Sequence, residues 1–203
     1  MLKAMTDWES LYVAGETGWD KGESSPVLRA YLAEKQISGR WLVPGCGRGH
    51  DVLALAEAGA SEALGLDLAP TAVEDANASL ADLPNASVVC GDLFALPPEF
   101  LSAFDGVFEH TCFCAIPRDR RSDYVRAVAS ALKPGGTLVG VFYLTPRDSP
   151  DPALGPPFNA TLAELDRLFS PCFALETDET PAVAFPGREG RERLRVYRKT
   201  QGR

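Results

Sequence analysis

Three glycines at alternate positions are the residues of this chain best suited to binding a cofactor. Gly45, Gly47 and Gly49 come directly after the apolar residues Leu42 and Val43. Because glycine has no Cβ, a turn built from it can adopt positive φ and allow a ligand to lie against the backbone. The stretch therefore predicts a strand, a glycine-rich turn and a helix, which together form one wall of a nucleotide-type site.

An acidic residue stands where a ribose ligand is expected. Asp67 ends the predicted strand Ala63–Asp67 and lies about 20 residues after Gly47, and its carboxylate can accept hydrogen bonds from both ribose hydroxyls. A second acidic residue, Asp92, follows the predicted strand Ala86–Cys90. The spacing G-x-G-x-G differs from the G-x-G-x-x-G of dinucleotide-binding proteins, which disfavours an NAD-linked dehydrogenase. It resembles the loop of class I S-adenosylmethionine-dependent methyltransferases.

Length, charge and cysteine content favour a single enzyme domain that acts on a small molecule. The 203 residues are enough to bury one sizeable core. The net charge of −8 argues against nucleic acid or an anionic membrane as partner, since both attract basic surfaces. The first residues hold no apolar run typical of a signal peptide, and no stretch is apolar enough for a membrane span. Five cysteines, an odd number, indicate reduced thiols and a cytoplasmic location.

Strand-like and helix-like stretches alternate along the rest of the chain. The further predicted elements are helices at 51–57, 70–80, 118–132 and 161–169 and strands at 104–109 and 137–144. The runs 173–177 and 194–199 flank a turn at Pro186-Gly187 and are expected to pair antiparallel at the sheet edge. This order predicts an α/β fold, a doubly wound, mostly parallel seven-stranded sheet with an antiparallel edge hairpin.

Length and element order predict one domain over residues 1–203. The likeness to class I methyltransferases implies a methyltransferase domain in which an N-terminal helical segment, residues 1–38, forms a lid over a Rossmann-like core, residues 39–203. The stretch 146–157 contains five prolines, too many for a regular element, and is expected to loop over the site. The oligomeric state does not follow from the sequence, which is compatible with a monomer.

Several motifs resemble those of the thiopurine S-methyltransferase superfamily, and the likeness is closest to its halide/thiol methyltransferases. The motifs are the aromatic and glycine pattern of 8–26, LVPGCGRGHD at 42–51, FDGVFEHTCFCAI at 104–116, LKPGG at 132–136, Phe142-Tyr143 and GPPF at 155–158. The resemblance covers nearly the whole chain. It implies a class I fold, S-adenosylmethionine as cofactor and S-adenosylhomocysteine as its product.

The resemblance also implies roles for individual residues. The N-terminal aromatic residues would cover the methionine portion of the cofactor, the glycines would contact it through their backbone, and residues after later strands would lie at its ribose and adenine. The implied cofactor-binding residues are Trp8, Tyr12, Trp19, Gly45, Gly47, Asp67, Leu68, Asp92, Leu93 and Glu109. Tyr143 matches a tyrosine that faces the transferred methyl group and is the implied catalytic residue. No role follows for His110, whose position varies among relatives.

Several other groups of polar or aromatic residues are better explained by a structural role than by a catalytic or metal-binding one. His110, Cys112 and Cys114 form half of a metal site with no second cluster to complete four ligands, so no metal is predicted. His50 and Asp51 are adjacent on a predicted helix and point apart, which indicates capping or packing. The aromatic residues near the N-terminus have an alternative role as a hydrophobic cover on the sheet. The charged residues of 118–123 are interpreted as a solvated helix start.

The predicted reaction is methyl transfer to a small thiol or another soft anion such as hydrosulfide or halide. Thiolates already have an appreciable population near neutral pH, so such acceptors need no general base, and no obvious base stands near the donor in the sequence. A thiopurine or a selenium or tellurium oxyanion is the alternative acceptor within the superfamily. A non-catalytic S-adenosylmethionine-binding protein is the alternative outside the enzyme class. Neither the physiological acceptor nor the biological role follows from the sequence.

Overall fold

Strands and helices alternate from residue 40 onward, as the sequence predicts. The computed structural model describes residues 6–149, 151 and 154–201. Its helices are α1 (Trp8–Ala14), α2 (Pro26–Glu34), α3 (His50–Glu57), α4 (Pro70–Ser79), α5 (Arg121–Ala131) and α6 (Leu162–Phe169). Its strands are β1 (Arg40–Pro44), β2 (Glu62–Asp67), β3 (Ala86–Cys90), β4 (Phe104–His110), β5 (Leu132–Tyr143), β6 (Phe173–Glu179) and β7 (Glu192–Lys199). None of the helices within these ranges is long and apolar enough to cross a membrane.

All seven strands belong to one sheet in the order β3-β2-β1-β4-β5-β7-β6. The pairs among β1 to β5 are parallel, whereas β7 pairs antiparallel with both β5 and β6. The predicted doubly wound sheet and its antiparallel edge hairpin are therefore confirmed. The order reverses direction between β1 and β4, and open α/β sheets bind ligands beside the carboxyl ends of the strands at such a point.

Helices cover both faces of the sheet, and each face has its own apolar core. On one face α5 and α6 pack against a cluster that includes Phe113, Phe142 and Tyr197. On the other, α2, α3 and α4 pack against a cluster that includes Trp41 and Phe108. The central strands are buried on both faces, which explains why β1 and β2 are almost continuously apolar.

The largest differences between predicted and observed boundaries are at the starts of α5 and β5. The predicted helix 118–132 is divided into a 3₁₀ turn, Arg118–Arg120, and α5. The strand predicted to begin at Thr137 begins at Leu132, because Leu132 pairs with Phe104 before the register shifts and Thr137 pairs with Gly106. The residues Lys133-Pro134-Gly135-Gly136, which the sequence predicts to precede the strand, therefore lie within β5 at this irregular pairing.

Residues 6–38 contain two short helices, α1 and α2, that are tied to the core. Ser25 caps α2 and Pro26 occupies its first turn, a local signal for a helix start. The carboxylate of Glu9 in α1 accepts hydrogen bonds from the backbone N–H and the hydroxyl of Thr71, at 3.0 and 2.6 Å. Because Thr71 lies in the first turn of α4, this contact joins the N-terminal segment to the helix that follows β2.

The charged residues of 118–123 are not all solvated, and the prediction for Arg121 is wrong. The Arg121 side chain is fully buried and its Nη1 donates to both carboxylate oxygens of Glu164 in α6, at 3.0 Å each. It also donates to the carbonyl oxygens of Phe158 and Asn159. A buried guanidinium needs such partners, and here they are supplied by segments that are far away in sequence. Arg121 thereby fastens the proline-containing segment to α5 and α6.

Candidate active site

A cavity of about 520 Å³ opens at the carboxyl ends of the parallel strands. Hereafter called the main cavity, it extends from the ends of β2 and β3 past β1 and β4 to the ends of β5 and the β6–β7 turn. Nine of the predicted site residues line it: Trp8, Tyr12, Trp19, Gly45, Asp67, Leu68, Asp92, Leu93 and Tyr143. A smaller cavity of about 60 Å³, the side cavity, adjoins it behind the glycine turn and shares Tyr12, Trp19, Lys21, Gly45 and Thr111 with it.

Asp67 joins the end of β2 to the glycine turn. Its Oδ2 accepts a hydrogen bond from Gly47 N at 2.7 Å, and its Oδ1 accepts one from Ala69 N at 3.0 Å. Burial raises the pKa of the Asp67 carboxyl, and these backbone donors act against that rise by stabilising its charged form. A carboxylate oxygen has capacity for more than one donor, so Asp67 can organise the turn and bind ribose hydroxyls as well.

The first two glycines of the turn are required by conformation and by space. Gly45 and Gly47 have φ of 59° and 52°, which disfavour other residues. A Cβ on Gly45 would lie 2.9 Å from Cys112 Sγ, and one on Gly47 would lie 2.7 Å from Tyr12 Oη. Gly47 lines the side cavity and not the main one, so its close approach is to Tyr12.

The three N-terminal aromatic residues form one cluster at the mouth of the main cavity. Trp8 and Trp19 meet edge to face with ring centroids 5.3 Å apart, and Tyr12 and Trp19 do so at 5.7 Å. Trp19 Nε1 also donates a hydrogen bond to Tyr12 Oη at 3.2 Å. Burial raises the pKa of Tyr12 to about 12, so this hydroxyl stays neutral at physiological pH. A neutral aromatic cluster of this kind is attractive to a sulfonium cation.

One end of the main cavity is formed by residues that follow β2 and β3. Leu68 is 43% exposed, unusual for a leucine beside a buried strand, and it presents an apolar surface to the cavity. Asp92 Oδ1 accepts a hydrogen bond from Phe94 N at 2.8 Å, which holds the turn after β3, and Leu93 is buried next to it. The apolar side chains of Leu68 and Leu93 beside the Asp92 carboxylate are the groups expected at an adenine site.

The other end is formed by Tyr143, by prolines and by an arginine that the sequence did not indicate. The Arg188 guanidinium lies 4.7 Å from the centroid of the Tyr143 ring. Pro146, Pro156 and Pro157 also line this end, consistent with the prediction that their segment loops over the site. Arg188 could have been suspected, because β6 runs parallel to β5 and the turn after it must lie at the ligand-binding edge.

Arg188 belongs to a buried cluster of four charged residues, and the other three, Asp51, His110 and Glu192, hold it in place. His110 Nδ1 lies 3.2 Å from Asp51 Oδ2, and Arg188 Nη1 donates to Glu192 Oε1 at 3.2 Å. Burial alone would lower the pKa of His110, but the carboxylates of Asp51 and Glu192 outweigh it and raise the pKa to about 9. With His110 protonated, the two cations and two carboxylates balance, as burial requires.

The shared carboxylate of Glu192 explains how two cations can lie side by side. Arg188 Nη1 and His110 Nε2 are 3.2 Å apart, and both atoms carry hydrogens when His110 is protonated. Glu192 Oε1, which lies 3.8 Å from His110 Nε2, attracts both. Asp51 also accepts a hydrogen bond from Ser25 N at 2.7 Å, so the cluster reaches the start of α2. His50 contacts Asp20, not Asp51, so the two adjacent residues do not form a pair.

Glu109 does not lie where the family resemblance places it. It is 1% exposed and lines neither cavity, because the last residues of β4 turn its side chain inward. Its Oε1 accepts a hydrogen bond from Phe113 N at 2.8 Å, and Tyr124 donates to its Oε2. Burial raises the pKa of Glu109 to about 7 against these donors. Glu109 therefore fixes the turn after β4 and does not face the cofactor cavity.

The thiols near the cavity are held in their neutral form. Burial raises the pKa of Cys112 well above its usual range and that of Cys114 to about 12. Cys114 Sγ donates to the carbonyl oxygen of Thr111 at 3.3 Å. All five cysteines are unpaired. Over the described residues there is no group of three or more His, Cys, Asp or Glu side chains arranged to hold a metal.

Comparison with known proteins identifies the family of this chain. A sequence profile of the thiopurine S-methyltransferase family matches residues 3–198. The chain belongs to this family. Relatives include a probable thiol methyltransferase 2 of Arabidopsis thaliana, 35% identical over 95% of this chain and 84% of the relative. Thiocyanate methyltransferase 1 of Brassica oleracea is 32% identical with the same coverage of each chain.

More distant relatives and solved structures extend the comparison. The thiopurine S-methyltransferase of Vibrio parahaemolyticus is 28% identical over 80% of each chain. A protein solved in work on thioacetal formation during echinomycin biosynthesis superimposes with a TM-score of 0.79 at 23% identity, covering 97% of this chain and 92% of that one. A Burkholderia thailandensis 1,6-didemethyltoxoflavin N1-methyltransferase with bound S-adenosylhomocysteine gives 0.72 at 19% identity, covering 96% and 86%.

The protein is thus an S-adenosylmethionine-dependent methyltransferase with a Rossmann-like fold. The residues of the main cavity fit this cofactor on the grounds described above. A carboxylate stands at the end of β2, a glycine turn with positive φ stands after β1, and neutral aromatic rings, which attract a sulfonium, line the same cavity.

Replacing Asp67 with alanine is expected to weaken binding of S-adenosylmethionine. The loss of a hydrogen bond to a charged group costs about 1.5–3 kcal/mol, or a Kd raised about 10- to 150-fold. Titration calorimetry measures the change, and Asp82→Ala, an exposed carboxylate outside both cavities, is the control. Unchanged affinity in a folded Asp67→Ala protein would remove Asp67 from the cofactor site.

The raised pKa of His110 predicts a pH-dependent contribution to stability. A histidine whose folded pKa exceeds its unfolded value stabilises fully below pH 6.5, and that stabilisation is lost as pH rises through about 9. The free energy of unfolding should therefore fall between these values in the wild type relative to His110→Gln, on the order of 1–3 kcal/mol. Urea unfolding at pH 6 and at pH 9.5 measures the difference. A difference that is constant with pH contradicts the ion-pair assignment.

Proposed function

We propose that this enzyme transfers the methyl group to a small thiol or another soft anion that enters the site already ionised. The single observation that carries this proposal is the composition of the Tyr143 end of the main cavity. Arg188 supplies a positive charge there, and the only carboxylates among the described lining residues, Asp67 and Asp92, belong to the opposite end. The carboxylate paired with Arg188, Glu192, does not line the main cavity, so the charged group presented there is a cation, which suits an anionic acceptor.

The other titratable groups near the Tyr143 end of the main cavity are bound to other residues of the protein. Glu109 is enclosed by its donors Tyr124 and Phe113. Glu192 is 2% exposed and binds Arg188. His110 lines the side cavity and not the main cavity, and its carboxylate partners raise its pKa to about 9 despite burial, which disfavours a role as base. An alcohol or amine acceptor would need a base within hydrogen-bond reach, whereas a thiolate does not.

The residues of the site then act by alignment and by exclusion of water. S-adenosylmethionine supplies a methyl group activated on a sulfonium, which an anion can attack in line. Arg188 attracts the anion, and Tyr143 orients it from beneath the guanidinium. The prolines at 146, 156 and 157 and the aromatic cluster exclude water. Alignment alone can contribute several kcal/mol to such a reaction, and the joining of opposite charges is favoured in a dry cavity.

The names of the relatives support a sulfur-containing or related soft acceptor. Those with identities above 30% are described as a thiol methyltransferase and thiocyanate methyltransferases. More distant relatives are described as thiopurine S-methyltransferases, and the apolar side chains at the Tyr143 end could contact a purine ring. A thiopurine is thus the second candidate acceptor, and a selenium or tellurium oxyanion is included with it in the screen.

We further propose that residues 1–38 act as a lid on the core, residues 39–203, and that the enzyme works in the cytoplasm. Arg48 supports the first point: it donates to Asp20 at 2.8 Å and to Thr17 at 3.3 Å, and so joins the segment to the glycine turn. Gly15 and Gly22 have positive φ and flank Trp19, so they can serve as hinges. The five unpaired cysteines support the second point.

The acceptor chemistry predicts a pH profile set by the acceptor. For each thiol, kcat/KM should rise with pH up to that thiol's own pKa, so a thiophenol should reach its plateau at lower pH than an alkyl thiol. Tyr143→Phe should lower the rate several-fold while leaving cofactor affinity nearly unchanged, because the ring still packs and only the hydroxyl is lost. Mass-spectrometric methyl-transfer assays over hydrosulfide, thiols, thiopurines, halides and selenite or tellurite measure both.

A base in the enzyme would produce a different result. It would impose the same inflection on every acceptor, and removal of that base would abolish the inflection. The same inflection for a thiophenol and an alkyl thiol, lost in His110→Ala, would therefore overturn the base-free mechanism. Turnover of thiopurines alone would replace the small anion with the second candidate.

The lid proposal predicts that the ligand protects the N-terminal segment. S-adenosylhomocysteine should change the emission of Trp8 and Trp19 and slow tryptic cleavage after Lys21, an exposed residue that borders both cavities. Trp41 is buried in the core and should contribute little to the change. Adenosine is the matched control, since it lacks the methionine portion that the lid would cover. Equal cleavage with and without S-adenosylhomocysteine would contradict the lid.

A further inference from the structure

Thr111 has a backbone conformation that a β-branched residue rarely adopts. Its φ is 62°, in the left-handed region, where Cβ and its branches crowd the backbone. Ser102 is the other non-glycine residue with positive φ in the described part of the chain, and it is exposed in the turn before β4. A threonine in this conformation is under strain, and strained residues that persist are concentrated at functional sites.

The neighbours of Thr111 hold it in this conformation from both sides. On one side His110 is bound to Asp51. On the other, Phe113 N donates to the buried carboxylate of Glu109. The carbonyl oxygen of Thr111 itself accepts from Cys114 Sγ at 3.3 Å. The turn is therefore determined by its surroundings, and glycine at 111 would adopt it without strain.

The position of Thr111 in the sheet places it between the two reactants. The strand order β2-β1-β4-β5 sets the turn after β4 between the glycine turn after β1 and Tyr143 at the end of β5. Thr111 accordingly borders both the main cavity and the side cavity. Its hydroxyl makes no hydrogen bond with any of the residues that the structure describes. A hydroxyl in this place is free to donate to a ligand.

We propose that Thr111 positions the acceptor, with its hydroxyl donating a hydrogen bond to the anion that receives the methyl group. This inference rests on the proposed function. Together with the positive charge of Arg188, a donor on the β4 side would fix the direction from which the anion approaches. The strain at Thr111 is then the cost of placing a hydroxyl where only glycine fits easily.

Four variants separate the hydroxyl from the strain. Thr111→Gly removes both, Thr111→Val keeps the shape without the hydroxyl, and Thr111→Ser keeps the hydroxyl. Ser102→Gly is the matched control, since it relieves the same kind of strain outside both cavities. Measurements on the full chain are Tm, the Kd of S-adenosylhomocysteine, and kcat and KM for an alkyl thiol, hydrosulfide and iodide.

The expected pattern is a separation of stability from activity. Thr111→Gly should keep or raise Tm yet lower kcat/KM for thiolates by about 10- to 150-fold, the range for a hydrogen bond to a charged group. Thr111→Val should lose a similar factor, while Thr111→Ser should stay within about threefold of the wild type. The loss should be smaller for iodide, whose diffuse charge accepts hydrogen bonds weakly. Ser102→Gly should raise Tm without changing the kinetics.

Two results would overturn the inference in distinguishable ways. Wild-type kcat/KM for thiolates in Thr111→Val or Thr111→Gly would show that the hydroxyl is not used, while leaving the proposed function intact. The same would follow from equal losses for thiolates and iodide, because a packing defect does not distinguish acceptors by their hydrogen bonding. A wild-type enzyme that binds S-adenosylhomocysteine but methylates no soft anion would overturn the proposed function and this inference with it.

Discussion

The hydrogen bonds of the Asp67 carboxylate are the interaction on which the geometry at the ends of β1 and β2 depends. Asp67 joins three segments, because it ends β2, accepts from Gly47 in the turn after β1 and accepts from Ala69 at the start of α4. These hydrogen bonds are short and Asp67 is only 8% exposed to solvent, so the carboxylate is held in a single position. Asp67 thereby fixes the glycine turn and the start of α4, and it lines the main cavity beside them.

The distribution of charge decides what each end of the main cavity can do. The ends of β2 and β3 carry carboxylates that can bind a cofactor's hydroxyls and amino group, whereas the Tyr143 end carries a guanidinium. In the proposed reaction, a cationic donor and an anionic acceptor would be drawn to different ends of one cavity. Because that reaction neutralises both charges, excluding water favours it.

Arg188 can be held beside the cavity because the cluster behind it is electrically balanced. Removing two cations and two carboxylates from water is costly, and the cost is offset only when each charge has a partner in good geometry. Asp51, His110 and Glu192 place an opposite charge beside each member of the cluster, and they come from α3, β4 and β7. The same contacts limit the chemistry of His110, since a histidine stabilised as a cation is a poor base.

The sequence by itself determined the order of strands and helices. It also indicated the glycine turn, Asp67 and the N-terminal aromatic residues as candidate site residues, because residue type and local spacing are enough to identify each of them. Only the tertiary structure decided that Glu109 turns inward, that Arg121 is buried and that Arg188 reaches the Tyr143 end of the main cavity. These outcomes depend on residues distant in sequence, such as Glu164, which binds Arg121 from 43 positions away, and Tyr143, whose ring lies under the Arg188 guanidinium. Burial of a charge is stable only with its partner in place, and the folded sheet is what brings the two together.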